Sequence, residues 1–390
     1  MRTNTLGELV DEAGGIVQTG PFGSQLHAHD YSNSGVAVVM PQNIRNGRLD
    51  HSSIAHVTTG RASGLSRHTL QAGDIVYSRR GDVEKCALVL ETDLPAMCGT
   101  GSLLVRVPKS HFADSTFLAY LLQTDEVRKW VRGHAVGATM LNLNTQILRE
   151  VPLVLPPLPK QQAIAEVLGA LDDKIAANRA LVATADALAR AFTNECLADS
   201  TTTQLCDLAT ITMGSSPKGT SYNESGEGVV LYQGMKDFGI RSPLPRVWTT
   251  EPGRLAHAGD ILMSVRAPVG TLNRATEECC IGRGLASLTA HQPNALFHLL
   301  LEQQTLFAPF NGDGTIFGSI NKRQLHALPV RIPSAGLTEL EAKTAPLEAQ
   351  VASALSESAT LAALRDTLLP ALMNGTLRVK DTERTVSEAL

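Results

Sequence analysis

The sequence predicts an α+β fold with a pseudo-twofold internal repeat, in which two mixed α/β domains are separated by two long antiparallel coiled-coil helices. Three observations support this prediction: ordered internal matches, short β-rich runs inside each copy, and a heptad-patterned tract after each copy. The length of 390 residues also favours two or more domains over one.

The internal repeat consists of ordered matches between residues 1–157 and residues 201–333. Several matches in the same order indicate a duplicated domain, and their spacing is far longer than one solenoid unit. The matching segments are Leu6–Leu9 with Leu205–Leu208, Ala72–Ile75 plus Ser78 and Arg79 with Ala258–Ile261 plus Ser264 and Arg266, Cys98–Gly101 with Cys280–Gly284, and Gly137–Pro156 with Gly314–Pro333.

Each copy combines strand and helix signals. Pro152 and Pro329 restrict their strands to an edge or a first position, because proline has no N–H to donate to a sheet. Strands are expected at residues 74–79, 103–107, 151–155 and 260–266, and helices at residues 115–131 and 295–307.

A heptad seam follows each copy, with apolar or small residues at alternating steps of four and three. Neither seam can bury itself alone, so we expect the two helices to pair antiparallel. The expected segments are 1–157, 158–200, 201–333 and 334–390. The first seam comprises Ile164, Leu168, Leu171, Ile175, Asn178, Val182, Ala185, Ala189 and Phe192. The second comprises Leu340, Thr344, Leu347, Val351, Ala354, Ser358, Leu361, Arg365, Leu368 and Leu372.

Three positions affect how the two helical tracts pair, where they are interrupted and where they end. Asn178 is either a buried register-setting residue or a solvated position beside a frayed contact. Pro346 should break the second tract into a short helix and a long one. The long one should end near Asn374-Gly375, and the tail 382–390 should be weakly ordered.

Charge counted by segment indicates where nucleic acid could bind, although the net charge is −4. Residues 158–200 carry four basic and six acidic groups, and residues 334–390 carry five and eight. The two globular copies are balanced, with fourteen of each sign in 1–157 and eleven basic against ten acidic in 201–333. The helices are therefore better suited to contact protein, and any DNA surface should lie on the globular copies.

Candidate DNA-binding residues lie on or beside glycine-rich turns and polar loops, where side chains can reach base edges and phosphates. The segment His27-Ala-His29-Asp30 has metal-ligand residue types, but no second cluster supports a metal site, so a polar recognition loop is favoured. The candidates are Thr19, Ser24, Gln25, His27, Arg79, Arg80, Lys218, Tyr222, Arg266 and Arg283.

Motifs for catalysis, secretion and membrane insertion are missing from the sequence. It contains no glycine-rich methyl-donor loop, no Asn/Asp-Pro-Pro-aromatic box and no phosphate-binding G-x-x-x-x-G-K-[ST] loop. The six cysteines form no C-x-x-C pair and are expected as buried free thiols. Without a signal peptide or a long apolar run, a cytoplasmic protein with no catalytic centre, metal or bound cofactor is expected.

Several segments together resemble the specificity subunit of type I restriction-modification systems. The resemblance covers nearly the whole chain, and its strength lies in the ordered set of short segments. They are Thr19–His27, Asp30-Tyr31, Met40–Ile44, Leu65–His68 and Gly73–Asp82 in the first copy, Gly214–Asn223, Tyr232–Phe238 and Ser264–Gly270 in the second, and Leu155–Pro159, Leu171–Asn178 and Leu361–Leu377 in the helical tracts.

The resemblance implies that each copy is a target-recognition domain reading one half of a split site in double-stranded DNA. It further implies that two modification subunits, which bind S-adenosylmethionine, dock on the helices, and that motor-nuclease subunits join for cleavage in phage defence. Base-reading residues vary with the target within the family, so the resemblance assigns no base contact.

Two functions of other classes remain as alternatives. One is a self-contained DNA-modifying enzyme, which methyl transfer by the purified chain alone would reveal. The other is a coiled-coil scaffold or adhesin-like protein with no DNA role, which salt-dependent binding to duplex DNA would exclude.

Overall fold

The computed structural model of the chain describes residues 2–312 and 318–382, and it has the predicted α+β architecture. The chain divides into two compact units. Unit 1 comprises residues 1–175 and 359–390, and unit 2 comprises residues 176–358. Each unit therefore contains one globular copy together with part of each long helix. Except for Thr382, the tail expected to be weakly ordered lies outside the described residues, as do residues 314–317 of the repeat.

The first copy contains twelve strands and five α-helices among its described residues. The strands are β1 (Arg2–Thr5), β2 (Ile16–Thr19), β3 (Tyr31–Ser32), β4 (Val36–Val39), β5 (Ile44–Arg45), β6 (Arg48–Leu49), β7 (Ala55–Val57), β8 (Ile75–Ser78), β9 (Cys86–Leu88), β10 (Ala96–Cys98), β11 (Ser102–Arg106) and β12 (Pro152–Leu155). The helices are α1 (Leu6–Glu12), α2 (Thr59–Ser63), α3 (Ser115–Leu121), α4 (Asp125–His134) and α5 (Thr145–Arg149). A long helix, α6 (Leu158–Cys196), follows them.

The second copy has a similar but shorter series of elements and is followed by the second long helix. Its strands are β13 (Ser200–Gln204), β14 (Ala209–Met213), β15 (Tyr222–Asn223), β16 (Val229–Tyr232), β17 (Trp248–Thr249), β18 (Leu255–Ala256), β19 (Ile261–Ser264), β20 (Leu272–Arg274), β21 (Cys279–Ile281), β22 (Leu285–Ala290) and β23 (Pro329–Pro333). Its helices are α7 (Leu205–Leu208), α8 (Pro293–Glu302) and α9 (Lys322–His326), and the long helix is α10 (Thr338–Met373).

Sheet topology confirms that the two copies are duplicates. The sheet β2-β11-β8-β9 has its counterpart in β14-β22-β19-β20. In a second sheet, β10 pairs parallel to β4, as β21 pairs parallel to β16. The pair β1–β12 joins the two ends of the first copy, and β13–β23 joins those of the second. Pro152 and Pro329 are the first residues of their strands, as expected.

In each copy, alternate side chains of the central strand face two different hydrophobic cores. In unit 1, Ile75 and Tyr77 face the core that also contains the helix residues, while Val76 faces the core of the second sheet. In unit 2, Ile261 and Met263 belong to one core and Leu262 to the other. Burial on both faces explains the continuously apolar sequence of these strands.

The two long helices pair antiparallel within each unit. In unit 1, Arg365 of α10 bonds Asp172 of α6, and the Nζ of Lys160 lies near Gly375 beyond the end of α10. In unit 2, Asn178 bonds Glu357 and Lys343 pairs with Glu195. Residues further along α6 therefore contact residues that come earlier in α10, so within each unit the two helices run antiparallel, as the sequence predicts.

Burial identifies the seam between the helices. Most of the predicted seam residues are buried, whereas Phe192, Leu347, Ser358 and Arg365 are partly exposed. Asn178 is only 5% exposed and donates to Glu357 Oε2 at 2.7 Å, so it is buried, while its role in setting the register stays a prediction. The polar seam position Arg365 is explained by its bond to the buried Asp172.

The predicted break at Pro346 is wrong, because α10 runs unbroken from Thr338 to Met373. Pro346 and Ala342, whose carbonyl loses its helical partner, are both exposed, so water can satisfy that carbonyl. On the opposite side, Leu340 and Thr344 are fully buried. Packing on this face therefore holds the helix together despite one lost hydrogen bond. The helix ends beside Asn374-Gly375, with Gly375 at φ 78°, as expected.

Two other helix predictions were too long. The tract expected at 115–131 is interrupted between α3 and α4 by Leu122–Thr124, where the Thr124 hydroxyl bonds the Leu121 carbonyl. The tract expected at 295–307 ends as an α-helix at Glu302 and continues as a 3₁₀ helix from Gln304 to Phe310. Local side-chain bonds to the backbone compete with helix continuation at such sites.

Each unit contains one buried carboxylate on a long helix that joins the helix to the globular copy. In unit 1, Asp172 accepts hydrogen bonds from Tyr120 Oη and Arg365 Nη1, both at 2.7 Å. In unit 2, Glu348 accepts from His298 at 2.9 Å and pairs with Arg241 and Arg274 at 3.2 and 3.3 Å. The heptad pattern did not predict either carboxylate, because both bind residues distant in sequence.

We expect Gly270→Ala to destabilise unit 2 by about 1–3 kcal/mol more than Gly259→Ala. Both glycines adopt positive φ, 90° and 91°, where a side chain is strained. A Cβ at Gly259 would meet open space, but at Gly270 it would lie 2.3 Å from the buried Phe307 ring. Urea unfolding of the two variants measures the difference, and equal stabilities would contradict this packing.

Candidate nucleic-acid interface

A concavity of about 660 Å³ in unit 2 brings together three of the predicted DNA-binding residues. Tyr222, Arg266 and Arg283 all line it. Lys236 adds a third cation, and the described lining contains no carboxylate. Such a surface suits an anionic ligand with aromatic or planar groups.

Close backbone packing places Arg283 at the edge of the concavity. Arg283 lies between Gly282 and Gly284, and its N–H donates to Ser216 Oγ at 3.4 Å. A Cβ at Gly284 would lie 2.3 Å from the Gln233 carbonyl oxygen, so only glycine allows this approach. The glycines therefore bring the Arg283 loop against the segment that carries Lys236.

Hydrogen bonds also position the Lys236 segment and Tyr222, which form other parts of the concavity. Asp237 is 5% exposed and accepts from the Gln233 N–H at 2.7 Å, which shapes the turn before Lys236. The Tyr222 hydroxyl donates to the Pro217 carbonyl at 3.1 Å, so the position of its ring is constrained.

Lys218 does not line the concavity, although sequence reasoning grouped it with the others. Its side chain is exposed and its Nζ lies 3.8 Å from Glu251. Ser216, Gln233 and Lys236 do line the concavity but were not among the candidates. Gln233 and Lys236 lie in the segment Tyr232–Phe238 that contributed to the family resemblance, so a signal for them was present.

In unit 1 the predicted residues from Thr19 to His27 lie at the end of β2 and on the loop after it. Asp30 accepts from the His27 N–H at 2.7 Å and pairs with Arg61 at 2.9 Å. The His27 hydrogen bond, followed by Arg61, lowers the pKa of Asp30. Gln25 Oε1 accepts from the Phe22 N–H at 3.0 Å. The loop is thus held by its own carboxylate and amide, as expected for a polar loop.

The remaining candidates of the loop differ in exposure. Ser24 and His27 are exposed, Gln25 is half-buried, and Thr19 is half-buried opposite Leu103 in the sheet. The rings of His27 and His29 stack with centroids 5.2 Å apart. Within residues 2–312 and 318–382, no three His, Cys, Asp or Glu side chains cluster in a way that could hold a metal ion.

Arg79 and Arg80 occupy different environments despite being adjacent. The Arg79 guanidinium lies 5.9 Å from the centroid of the exposed Phe22 ring, which links it to the β2 loop. Arg80 is exposed, and its backbone pairs with Asn142. The structure therefore brings Arg79 together with the predicted loop and leaves Arg80 facing solvent.

The cysteines follow the expectation in part. Cys86, Cys98, Cys279 and Cys280 are buried free thiols, and burial raises the pKa of both Cys86 and Cys279 to about 12. Cys196 and Cys206 are partly exposed, contrary to the expectation of full burial, because they lie at the end of α6 and on the short surface helix α7.

The seam residues, which could also have served as the surface for partner docking on the helices, pack within the chain. Ile164, Leu168, Leu171, Ile175, Leu361 and Leu368 join the main core of unit 1, and Val182, Val351 and Leu347 pack together in unit 2. Other residues must therefore form any docking face. No helix in the described part of the chain is long and apolar enough to cross a membrane.

Comparison with known proteins places these features in a family context. Residues 30–184 match the model of the type I restriction modification DNA specificity domain. The chain is 28% identical over 329 residues to a Methanocaldococcus jannaschii protein named "Putative type I restriction enzyme MjaX specificity subunit", covering 77% of each chain. A crystal structure of the type I restriction-modification S subunit from M. genitalium has the same fold, with a TM-score of 0.64, 15% identity, and coverage of 95% of this chain and 96% of that one.

Proposed function

The chain belongs to the type I restriction-modification DNA specificity family, and from this premise we propose that it directs such a complex to a bipartite DNA site. Each globular copy acts as a target-recognition domain that reads one half of the site. The chain itself has no catalytic centre in this proposal. Two modification subunits supply methyl transfer from S-adenosylmethionine, and motor-nuclease subunits supply cleavage.

The cationic concavity of unit 2 is the observation that carries this proposal. Lys236, Arg266 and Arg283 converge there without a carboxylate in a protein whose net charge is −4. Converging cations repel one another, so their arrangement does not favour folding. It favours binding of a polyanion, because each phosphate neutralised releases a counterion.

The exposed face of α6 supports the docking of modification subunits. Leu181 and Leu188 are 40% and 41% exposed, although both are large apolar residues of the helix. They are seven residues apart and so lie on one face, away from the buried seam. The helical segments are also net acidic, which makes them poor DNA surfaces and better protein surfaces.

We expect the double variant Lys236→Ala/Arg283→Ala to bind duplex DNA about tenfold to a hundredfold more weakly at constant salt. Each lost contact should cost on the order of 1 kcal/mol or more, and 1.4 kcal/mol is tenfold. Fluorescence anisotropy with a labelled duplex, titrated with the full-length chain at several salt concentrations, measures the effect.

The matched control is Lys109→Ala/Lys129→Ala, which removes two exposed lysines of unit 1 outside the β2 loop. This control should bind nearly as the wild type does. Salt-independent binding by the wild-type chain, or equal affinities of the two double variants, would refute the concavity as a DNA surface.

A further inference from the structure

The backbone hydrogen bonds of the two copies assign equivalent residues. In unit 1, the Arg79 N–H donates to Gly101, and the Leu143 N–H donates to Arg79, both at 2.8 Å. In unit 2, Val265 donates to Gly284 at 2.9 Å, and Ile320 donates to Val265 at 3.0 Å. Arg79 therefore corresponds to Val265.

The next residue in each copy is an arginine in the same backbone setting. Arg80 forms an antiparallel bridge with Asn142, and Arg266 forms one with Ser319. The sequence alignment of Arg79 with Arg266 was thus off by one position. Arg80 and Arg266 are the true counterparts.

A buried serine at the end of the central strand fixes the turn in both copies. Ser78 Oγ donates to the Arg80 carbonyl at 3.2 Å. Ser264 Oγ donates to the Pro268 carbonyl at 2.6 Å and accepts from the Thr271 N–H at 3.0 Å. Both serines are 1% exposed. In each copy a buried serine thus holds the turn by side-chain hydrogen bonds, and an exposed arginine lies two residues after it.

Neither arginine side chain has a carboxylate partner among the described residues. Near Arg80, Asp82 is paired with Lys85 at 2.9 Å and Glu84 is paired with Arg132. Arg266 lines the cationic concavity of unit 2. An exposed cation without a partner contributes little to stability, so folding does not account for its presence at the same place in both copies.

The neighbouring positions differ between the copies. Arg79 corresponds to Val265, and Thr100 between two glycines corresponds to Arg283 between two glycines. The approach of Gly20 to the Gly99 carbonyl, matched by Gly214 and the Gly282 carbonyl, supports the second assignment. Two half-sites of different sequence share their phosphate backbone and not their bases.

We propose that Arg80 and Arg266 are equivalent phosphate contacts, which seat each recognition domain on the DNA backbone in the same way. Base reading then belongs to positions that differ between the copies. This inference rests on the proposed function and deepens it, because it separates positioning residues from reading residues.

The test is the salt dependence of binding to a labelled duplex of random sequence, using the full-length chain. Each cation that contacts a phosphate contributes about 0.9 to the slope of log affinity against log salt. We expect Arg80→Ala and Arg266→Ala each to lower the slope by about 0.9, and the double variant by about 1.8. Lys109→Ala/Lys129→Ala should keep the wild-type slope.

A second pair of variants separates phosphate contacts from base contacts. Arg80→Lys/Arg266→Lys should restore the slope, because a phosphate accepts either cation, whereas bidentate base reading requires the arginine fork. The methylated motif in cells should keep its bases in both double variants, with fewer copies modified in the alanine variant.

The outcomes distinguish this inference from the proposed function. A wild-type chain without salt-dependent binding would overturn the proposed function itself. Salt-dependent wild-type binding with an unchanged slope in the alanine double variant would overturn only the phosphate contacts. A change of bases in the methylated motif would also overturn them, because it would make these arginines readers.

Discussion

Glu348→Ala is expected to lower the free energy of unfolding of unit 2 by about 3–5 kcal/mol, the usual cost of removing one partner from a buried ionic cluster. Glu348 is 7% exposed and bonds Arg241, Arg274 and His298. Both arginine side chains are also largely buried, at 11% and 14% exposure. Without the carboxylate, the buried Arg274 would keep only its hydrogen bond to the Pro293 carbonyl and the charge of Glu341, while Arg241 would keep its ion pair with Asp186.

The pH dependence of this effect follows from the pKa of Glu348. Burial alone would raise it, but the hydrogen bond from His298 and the charges of Arg241 and Arg274 together lower it below the usual 4.5. A carboxylate with a lowered folded-state pKa stabilises the protein fully above its unfolded-state pKa, and the contribution is lost as pH falls. The difference between wild type and variant should therefore shrink below about pH 4.5.

Urea unfolding followed by tryptophan fluorescence measures this stability in unit 2 alone. The chain has two tryptophans, and Trp130→Phe leaves Trp248 of unit 2 as the only reporter. Glu339→Ala is the matched control, because Glu339 is 68% exposed and its pair with Lys343 should contribute less than about 1 kcal/mol. A loss in Glu348→Ala no larger than in this control would contradict a buried, fully paired carboxylate.

The features predicted correctly from the sequence depend on local periodicity or on the repeat. The heptad spacing of Ile164, Leu168 and Leu171 is enough to place them in a helix seam, because side chains three and four residues apart share a helix face. The matches around Ile75 and Ile261 likewise locate the central strand of each copy. Such signals need no knowledge of distant contacts.

The features missed depend on long-range packing. Pro346 is tolerated because buried residues on the opposite helix face hold α10 together, and no local rule reveals that packing. The concavity combines Ser216, Gln233, Arg266 and Arg283 from four separate loops. Sequence reasoning found Tyr222, Arg266 and Arg283. It missed Ser216, Gln233 and Lys236, whose role depends on where the fold places them.

Exchange of residues 200–333 for the matching domain of a relative with a different target is expected to replace one half of the methylated DNA motif completely. Ser200 pairs with Pro333 at the base of the second copy, so the two ends of the exchanged segment are adjacent. The exchanged segment carries the whole of the cationic concavity. The first copy, including its paired strands β1 and β12, remains unchanged. The other half of the motif should therefore stay the same.

Sequencing of the methylated bases in host cells that carry the wild-type chain, the exchanged chain or no chain tests the central claim most directly. We expect a split motif with the wild type, the same motif with one new half for the exchange, and no such motif without the chain. Methylation that persists unchanged without the chain, or an exchange that alters both halves, would contradict two separate readers of one bipartite site.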